Sequence, residues 1–188
     1  MEKPQRAGRK NEPNPVKLIV GLLHPATGTG LFEWTRDALA SRFGPLERES
    51  EQFPFVYTDY YRDIASDLNR TFFSFAGLRR PDELVSWKHA AISIEAESAD
   101  GESSGRGRRV NIDPGYLDGA RLVLASTKDN AHRIYIAGGI YAEVTLCRRR
   151  TGWERFSYTF PDFKSGVYDD FFELVRQDWR RDLHAGAA

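Results

Sequence analysis

The sequence predicts an α+β fold, and three observations carry that expectation. VKLIVGLL (Val16–Leu23) is apolar on both alternating faces, as in a strand buried in the middle of a sheet. Two helical patterns, LFEWTRDALASRF and PDELVSWKHAAISIEAES, are separated by the strand-like TFFSF. In the C-terminal half IYIAGGIYAEVTL reads as a β-hairpin. That hairpin disfavours a fully parallel sheet, and the expected arrangement has helices mostly on one face.

Each element follows from local pattern. After the first strand and the loop HPATGTG, Phe32, Thr35, Leu39 and Phe43 recur at helical spacing. Gly44-Pro45 stops that helix with a C-cap glycine and a residue that cannot continue it. Leu46 to Phe55 is mixed and extended, YTDYYRD is an aromatic-acidic loop, and Thr71–Phe75 is a strand by β-propensity. Pro81 opens the second helix, with Asp82 and Glu83 suited to its positive end. Its Leu84, Lys88, Ala91 and Val85, Ile92, Ala96 sets make it half-buried.

Ala99 to Arg108 is polar and glycine-rich, a surface loop with its glycines over 101–107. Arg108–Ile112 then reads as a short strand, Asp113-Pro114-Gly115 as a turn, and Leu117–Ser126 as a short helix with Leu117, Ala120, Val123 and Leu124 inward. After the hairpin come a strand around Trp153–Phe160 and a helix from Gly166 to Arg181. That helix carries the stripe Tyr168, Phe171, Phe172, Val175 and Trp179, read as core. The first six elements run β-α-β-β-α-β, the order of ferredoxin-like folds. A helix, antiparallel hairpin strands and a C-terminal helix extend it.

The 188 residues are 40% hydrophobic and 13% aromatic, enough for a sizeable core. The expected organisation is a disordered tail over 1–15, a single α+β domain over 16–183 and a short tail over 184–188. Formal net charge is zero, which argues against nucleic acid or an anionic membrane as the partner of the whole protein. The single Cys147 forms no intrachain disulfide. The longest apolar run, Val16–Leu23, is interrupted by Lys17 and too short for a bilayer. The basic, Pro/Asn-rich start lacks a signal peptide's apolar core, so a soluble, cytoplasmic protein is expected.

The hairpin supplies the candidate site. With Gly138-Gly139 as a two-residue loop, Ala137 faces Ile140, Ile134 faces Glu143 and His132 faces Thr145. His132 then lies diagonally from Glu143, within side-chain reach, and a one-residue slip is expected to separate them. Tyr135, Ala137, Ile140, Ala142, Val144 and Leu146 share the core face, with Arg133 at its outer end. Lys128 and Asp129 arrive from the preceding loop.

FPF…YTDYY (Phe53–Tyr61), RRVNIDPGYL (Arg108–Leu117), LVLASTKDNAHRIYI (Leu122–Ile136) and GIYAEVTL (Gly139–Leu146) together resemble a bacterial domain-of-unknown-function family, number 4416. VKLIVGLL and FPDFKS (Phe160–Ser165) also fit its pattern. The resemblance runs from about Val16 to about Phe172, departs at HPATGTG and in the tails, and implies no activity.

Several chemistries fit the residues. His132 beside Glu143 suits general acid–base catalysis, with Glu143 fixing the imidazole tautomer. Lys128 and Arg133 suit a carboxylate or phosphate, and Asp129, Thr145, Asp113, Tyr116, Asp59 and Tyr60 complete the expected ligand-binding set. The expected ligand is a small anionic metabolite or nucleotide. Asp59, Asp113, His132 and Glu143 could together ligate a metal, but no HExxH or HxH spacing supports it, and no cofactor is assigned. Cys147 with His132 is a further nucleophile–base pairing, and Gly28 and Gly30 could present N–H groups to an anion. Two alternatives stand beside these. The same cluster could be a stabilising polar network in a non-enzymatic module. Arg106, Arg108, Arg109 and Arg148–Arg150 could form an RNA-binding patch.

Overall fold

The computed structural model describes residues 12–61, 63–99 and 107–186. The expected N-terminal tail through residue 11 and the loop over 101–106, with Arg106, lie outside the described residues. In chain order the elements are β1 (Lys17–Pro25), α1 (Thr29–Phe43), β2 (Leu46–Glu49), β3 (Phe53–Phe55), β4 (Leu68–Phe75), α2 (Leu84–Glu97) and β5 (Asn111–Leu117). There follow β6 (Arg121–Ser126), β7 (Ile134–Ala137), β8 (Ile140–Arg149), β9 (Gly152–Arg155), α3 (Pro161–Ser165) and α4 (Asp169–Ala185). The strands form one sheet in the order β2-β4-β1-β5-β6-β8-β7, with β3 beside β4 and β9 beside β8. Every pairing is antiparallel. The fold is therefore mixed α+β, as its pattern predicts.

Both faces of the sheet are covered, which corrects the expectation of helices mostly on one face. Leu18, Val20, Phe73, Phe75, Ile112 and Val123 pack with Leu39 of α1 and Trp87, Ala91 and Ile94 of α2. Ile19, Phe72, Leu122 and Leu146, on the opposite face, pack with Phe163 of α3 and Phe171, Phe172 and Val175 of α4. The aromatic stripe of α4 needs an apolar surface of its own, and the second face of the sheet supplies it. Phe172 makes ring contacts with Phe72, Trp153, Phe163, Tyr168 and Phe171, so its truncation to alanine should cost ~3–5 kcal/mol. Lys17, fully buried, ties β1 to β2 and α4 through Glu47 at 2.6 Å and Asp182 at 2.5 Å. No described helix is long and apolar enough to cross a membrane.

Five local expectations change. Residues 117–126 form no helix: the chain turns after Leu117 and returns as β6. Leu122 belongs to one core and Val123 to the other, so a strand buried on both faces hides its period of two. Asp113-Pro114-Gly115 is the middle of β5 and not a turn. The strand expected over 153–160 ends at Arg155, and the last helix runs from Asp169 to Ala185. In the hairpin, Ala137 does face Ile140, but a bulge at Ile136 sets Tyr135 opposite Tyr141 and Ile134 opposite Ala142. Glu143 therefore lies beyond the last β7 pair, while on the other side of β8 it faces Leu124 of β6; a second bulge near Thr145 puts Leu146 on the α4 face, apart from Val144.

Candidate functional site

The sheet is split between β5 and β6. They pair only at Gly115–Leu124, Tyr116–Val123 and Leu117–Leu122, and then diverge. Gly115 permits the close approach, since a Cβ there would lie 2.2 Å from the Val123 carbonyl oxygen. Pro114 comes next and has no N–H to extend the ladder. Beyond it, two side chains of α2 replace the missing strand. Glu95 Oε1 accepts the Ile112 N–H at 2.6 Å, and Lys88 Nζ donates to the Ile112 carbonyl at 2.7 Å. The notch opens into a cavity of about 360 Å³.

The floor is built on Arg70, Lys88 and Asp113, with Asp162 paired to Arg70 just outside the lining. Lys88 Nζ lies 3.3 Å from Asp113 Oδ1, Asn111 Nδ2 donates to Asp113 Oδ2 at 2.7 Å, and Arg70 lies 3.6 Å from Asp113 and 3.4 Å from Asp162. Arg70 is held over the rings of Phe55, Phe72 and Phe163. Gly21 leaves room for it, as a Cβ at that position would sit 3.1 Å from Arg70 Nη1. Burial would raise the Asp113 pKa, but Lys88 and Arg70 outweigh it and hold the carboxyl below its ordinary range. Asp162 and Glu95 are pushed up, burial prevailing over their cationic partners. Arg108 Nη1 closes the floor at 3.3 Å from Glu95 Oε2.

The mouth is built by the segment joining β6 to β7. Arg133 Nε donates to Glu143 Oε2 at 2.9 Å, and its Nη1 donates to Ser126 Oγ at 2.8 Å. His132 Nε2 is 3.1 Å from the same Glu143 oxygen, and Thr145 Oγ1 donates to Glu143 Oε1 at 3.4 Å. The changed register still leaves His132 beside Glu143 because β7 begins only at Ile134: His132 and Arg133 lie in the turn before it, closed by the Arg133 N–H donating to the Asn130 carbonyl at 2.9 Å, and both side chains reach the carboxylate. Lys128 Nζ lies 3.7 Å from the Tyr60 ring centroid, and among the described residues it has no carboxylate partner.

Six residues expected at a site line this cavity: Lys128, Arg133, Glu143, Thr145, Asp113 and Tyr60. His132 does not line it; it sits behind Glu143 with its ring stacked on Tyr158, centroids 4.4 Å apart and planes 7° from parallel. Asp129 is exposed and outside the lining, while Tyr116 packs toward the α1–α2 core. Asp59 begins a short helical turn, Asp59–Tyr61, and its side chain is outside the described residues. Arg70, Lys88, Glu95 and Asn111 line the cavity without having been expected there. Lys88 and Glu95 had a readable sign, two charges continuing the inward series Leu84, Lys88, Ala91, Glu95 on α2.

The other expected clusters are dispersed. Arg108 and Arg109 precede β5, whereas Arg148–Arg150 lie at the end of β8, which pairs with the start of β6; the two groups sit at opposite ends of the sheet. Gly28 adopts a left-handed φ of 89° before α1, away from the cavity lining. No group of three or more His, Cys, Asp or Glu among the described residues is placed to hold a metal ion. A family model described as Domain of unknown function (DUF4416) matches residues 14–179, so the chain belongs to that family. No curated protein and no solved structure matches it.

Proposed function

We propose that this DUF4416 member binds a small anionic molecule in the cavity between β5 and β6. The observation that carries the reading is Lys128, a cation at the mouth without a carboxylate partner among the described residues. The lining supports it with five cationic side chains, Arg70, Lys88, Arg108, Lys128 and Arg133, against the three carboxylates Glu95, Asp113 and Glu143; Asp162, just outside the lining, pairs with Arg70, which leaves Lys128 as the charge in excess. The volume of about 360 Å³ falls in the range of small-molecule sites, ~300–1,000 Å³. Exposed Tyr60 and Phe160 add apolar wall at the opening.

Acid–base chemistry by His132 and Glu143 receives less support from this geometry. Glu143 is engaged by Arg133, His132 and Thr145 together, which favours the second reading for that cluster: a network that positions Arg133 and the mouth segment. In the same spirit, the antiparallel order β2-β4-β1-β5, with α1 and α2 on one face, supports reading the N-terminal half as a ferredoxin-like split βαβ unit.

A thermal-shift panel of phosphorylated and carboxylated metabolites tests the proposal. At least one anion should raise the melting temperature of the wild type, and His132→Ala should retain that shift. A panel in which no anion moves the wild type would reject the reading.

A further inference from the structure

The floor and the mouth of the cavity differ in charge, and the difference restricts what can fill them. Arg70 and Lys88 face Asp113 and Asp162, so the floor is neutral and has no preference for an anion. Its hydrogen bonding is nonetheless incomplete. Arg70 is 5% exposed, its two ion pairs are no closer than 3.4 Å, and its Nε has no partner. None of its five N–H groups makes a hydrogen bond within normal geometry among the described residues. Beside it, Asp113 Oδ1 receives only the long 3.3 Å contact from Lys88, and the Asp113 side chain is 24% exposed. A spare donor and a spare acceptor thus stand on neighbouring side chains: Arg70 Nη1 is 3.6 Å from Asp113 Oδ2, the oxygen taken by Asn111, which leaves Oδ1 of the same carboxylate available.

Resting on the anion-binding reading, we infer that the ligand is bipolar: a phosphate at Lys128, and a neutral amide-type edge of a flat ring on Arg70 and Asp113. Such an edge offers a carbonyl to the guanidinium and an N–H to the carboxylate, and so satisfies both with no net charge delivered to a neutral floor. The wall favours a ring over an open-chain amide. Phe55, Tyr60, Tyr61, Phe160 and Phe163 all line the cavity, and Tyr60 and Phe160 are 56% and 43% exposed. A nucleoside monophosphate has this combination of parts, the phosphate outward and the base inward.

The test compares, by calorimetric titration, the four common nucleoside monophosphates with ribose 5-phosphate and with the corresponding nucleosides. Measurements use wild type, Lys128→Ala and Asp113→Asn, the last changing one acceptor into a donor at constant shape. At least one nucleotide should bind wild type tenfold or more tightly than ribose 5-phosphate. Asp113→Asn should abolish that preference without weakening ribose 5-phosphate, since it also removes a negative charge from the floor, and Lys128→Ala should weaken nucleotide and sugar phosphate alike. Equal affinity of nucleotide and ribose 5-phosphate on wild type overturns the inference and leaves the anion reading standing. So does binding of other anions when no nucleotide binds. If no anion of any kind binds, both fail. The wild-type comparison decides the matter even if Asp113→Asn folds poorly.

Discussion

Glu95 Oε1 accepts the Ile112 N–H at 2.6 Å, so a helix carboxylate completes the hydrogen bonding of a strand where its neighbour has left. This contact holds the notch open. Glu95→Ala leaves the Ile112 N–H unpaired in a buried place and should destabilise the fold by ~1–3 kcal/mol, whereas Glu95→Gln keeps an acceptor and should cost less. Urea unfolding of the two variants measures the difference.

The approach of β5 to β6 just before the split depends on a residue without a side chain. Gly115→Ala places a methyl group 2.2 Å from the Val123 carbonyl oxygen and 2.6 Å from Leu124 Cδ2, in a pair that cannot separate without breaking the ladder. The expected cost is above ~3 kcal/mol, at the far end of the usual range for point mutations. A variant that melts with the wild type would mean that the strands lie farther apart than described.

His24 is buried, with Nδ1 2.9 Å from the Pro25 carbonyl oxygen and Nε2 3.1 Å from Thr71 Oγ1. Burial lowers its pKa below the ordinary 6.5, and the Pro25 carbonyl only partly offsets this. Between the folded value and 6.5 the unfolded chain binds more protons, so stability must fall as pH drops below 6.5 through that window. Melting curves between pH 7.5 and 5 should show this loss, and His24→Gln should flatten it.

The cluster at the mouth separates by burial. Arg133 and Glu143 side chains are 7% and 5% exposed, and His132 is 24% exposed. Glu143→Ala strands the buried Arg133 charge and should cost ~3–5 kcal/mol. His132→Ala removes one partially solvated partner and a ring stack, and should cost about 1 kcal/mol. Equal losses in chemical denaturation would show that His132, and not Arg133, is the partner Glu143 depends on.

Much of this arrangement is legible in the sequence, and its gaps have physical causes. Gly138-Gly139 announces the hairpin turn, and His132 does meet Glu143. The register is not legible, because the bulge at Ile136 leaves no mark in a run of exposed apolar residues. β6 imitates a helix because both its faces are buried, and Asp113-Pro114-Gly115 imitates a turn because proline and glycine usually mark one. Here they mark a split in a sheet. The floor of the cavity escapes a local reading because Arg70, Lys88 and Asp113 come from β4, α2 and β5, and only the topology brings them together.

Lys128 is the residue on which the functional account turns, and direct titration of the most stabilising anion against Lys128 variants tests it. Lys128→Ala should bind at least tenfold more weakly than wild type, a loss of ~1.4 kcal/mol, while its unliganded melting temperature falls by no more than the few degrees that the lost Tyr60 contact accounts for. Lys128→Arg should recover much of the affinity. An anion that binds Lys128→Ala as tightly as wild type would contradict the account.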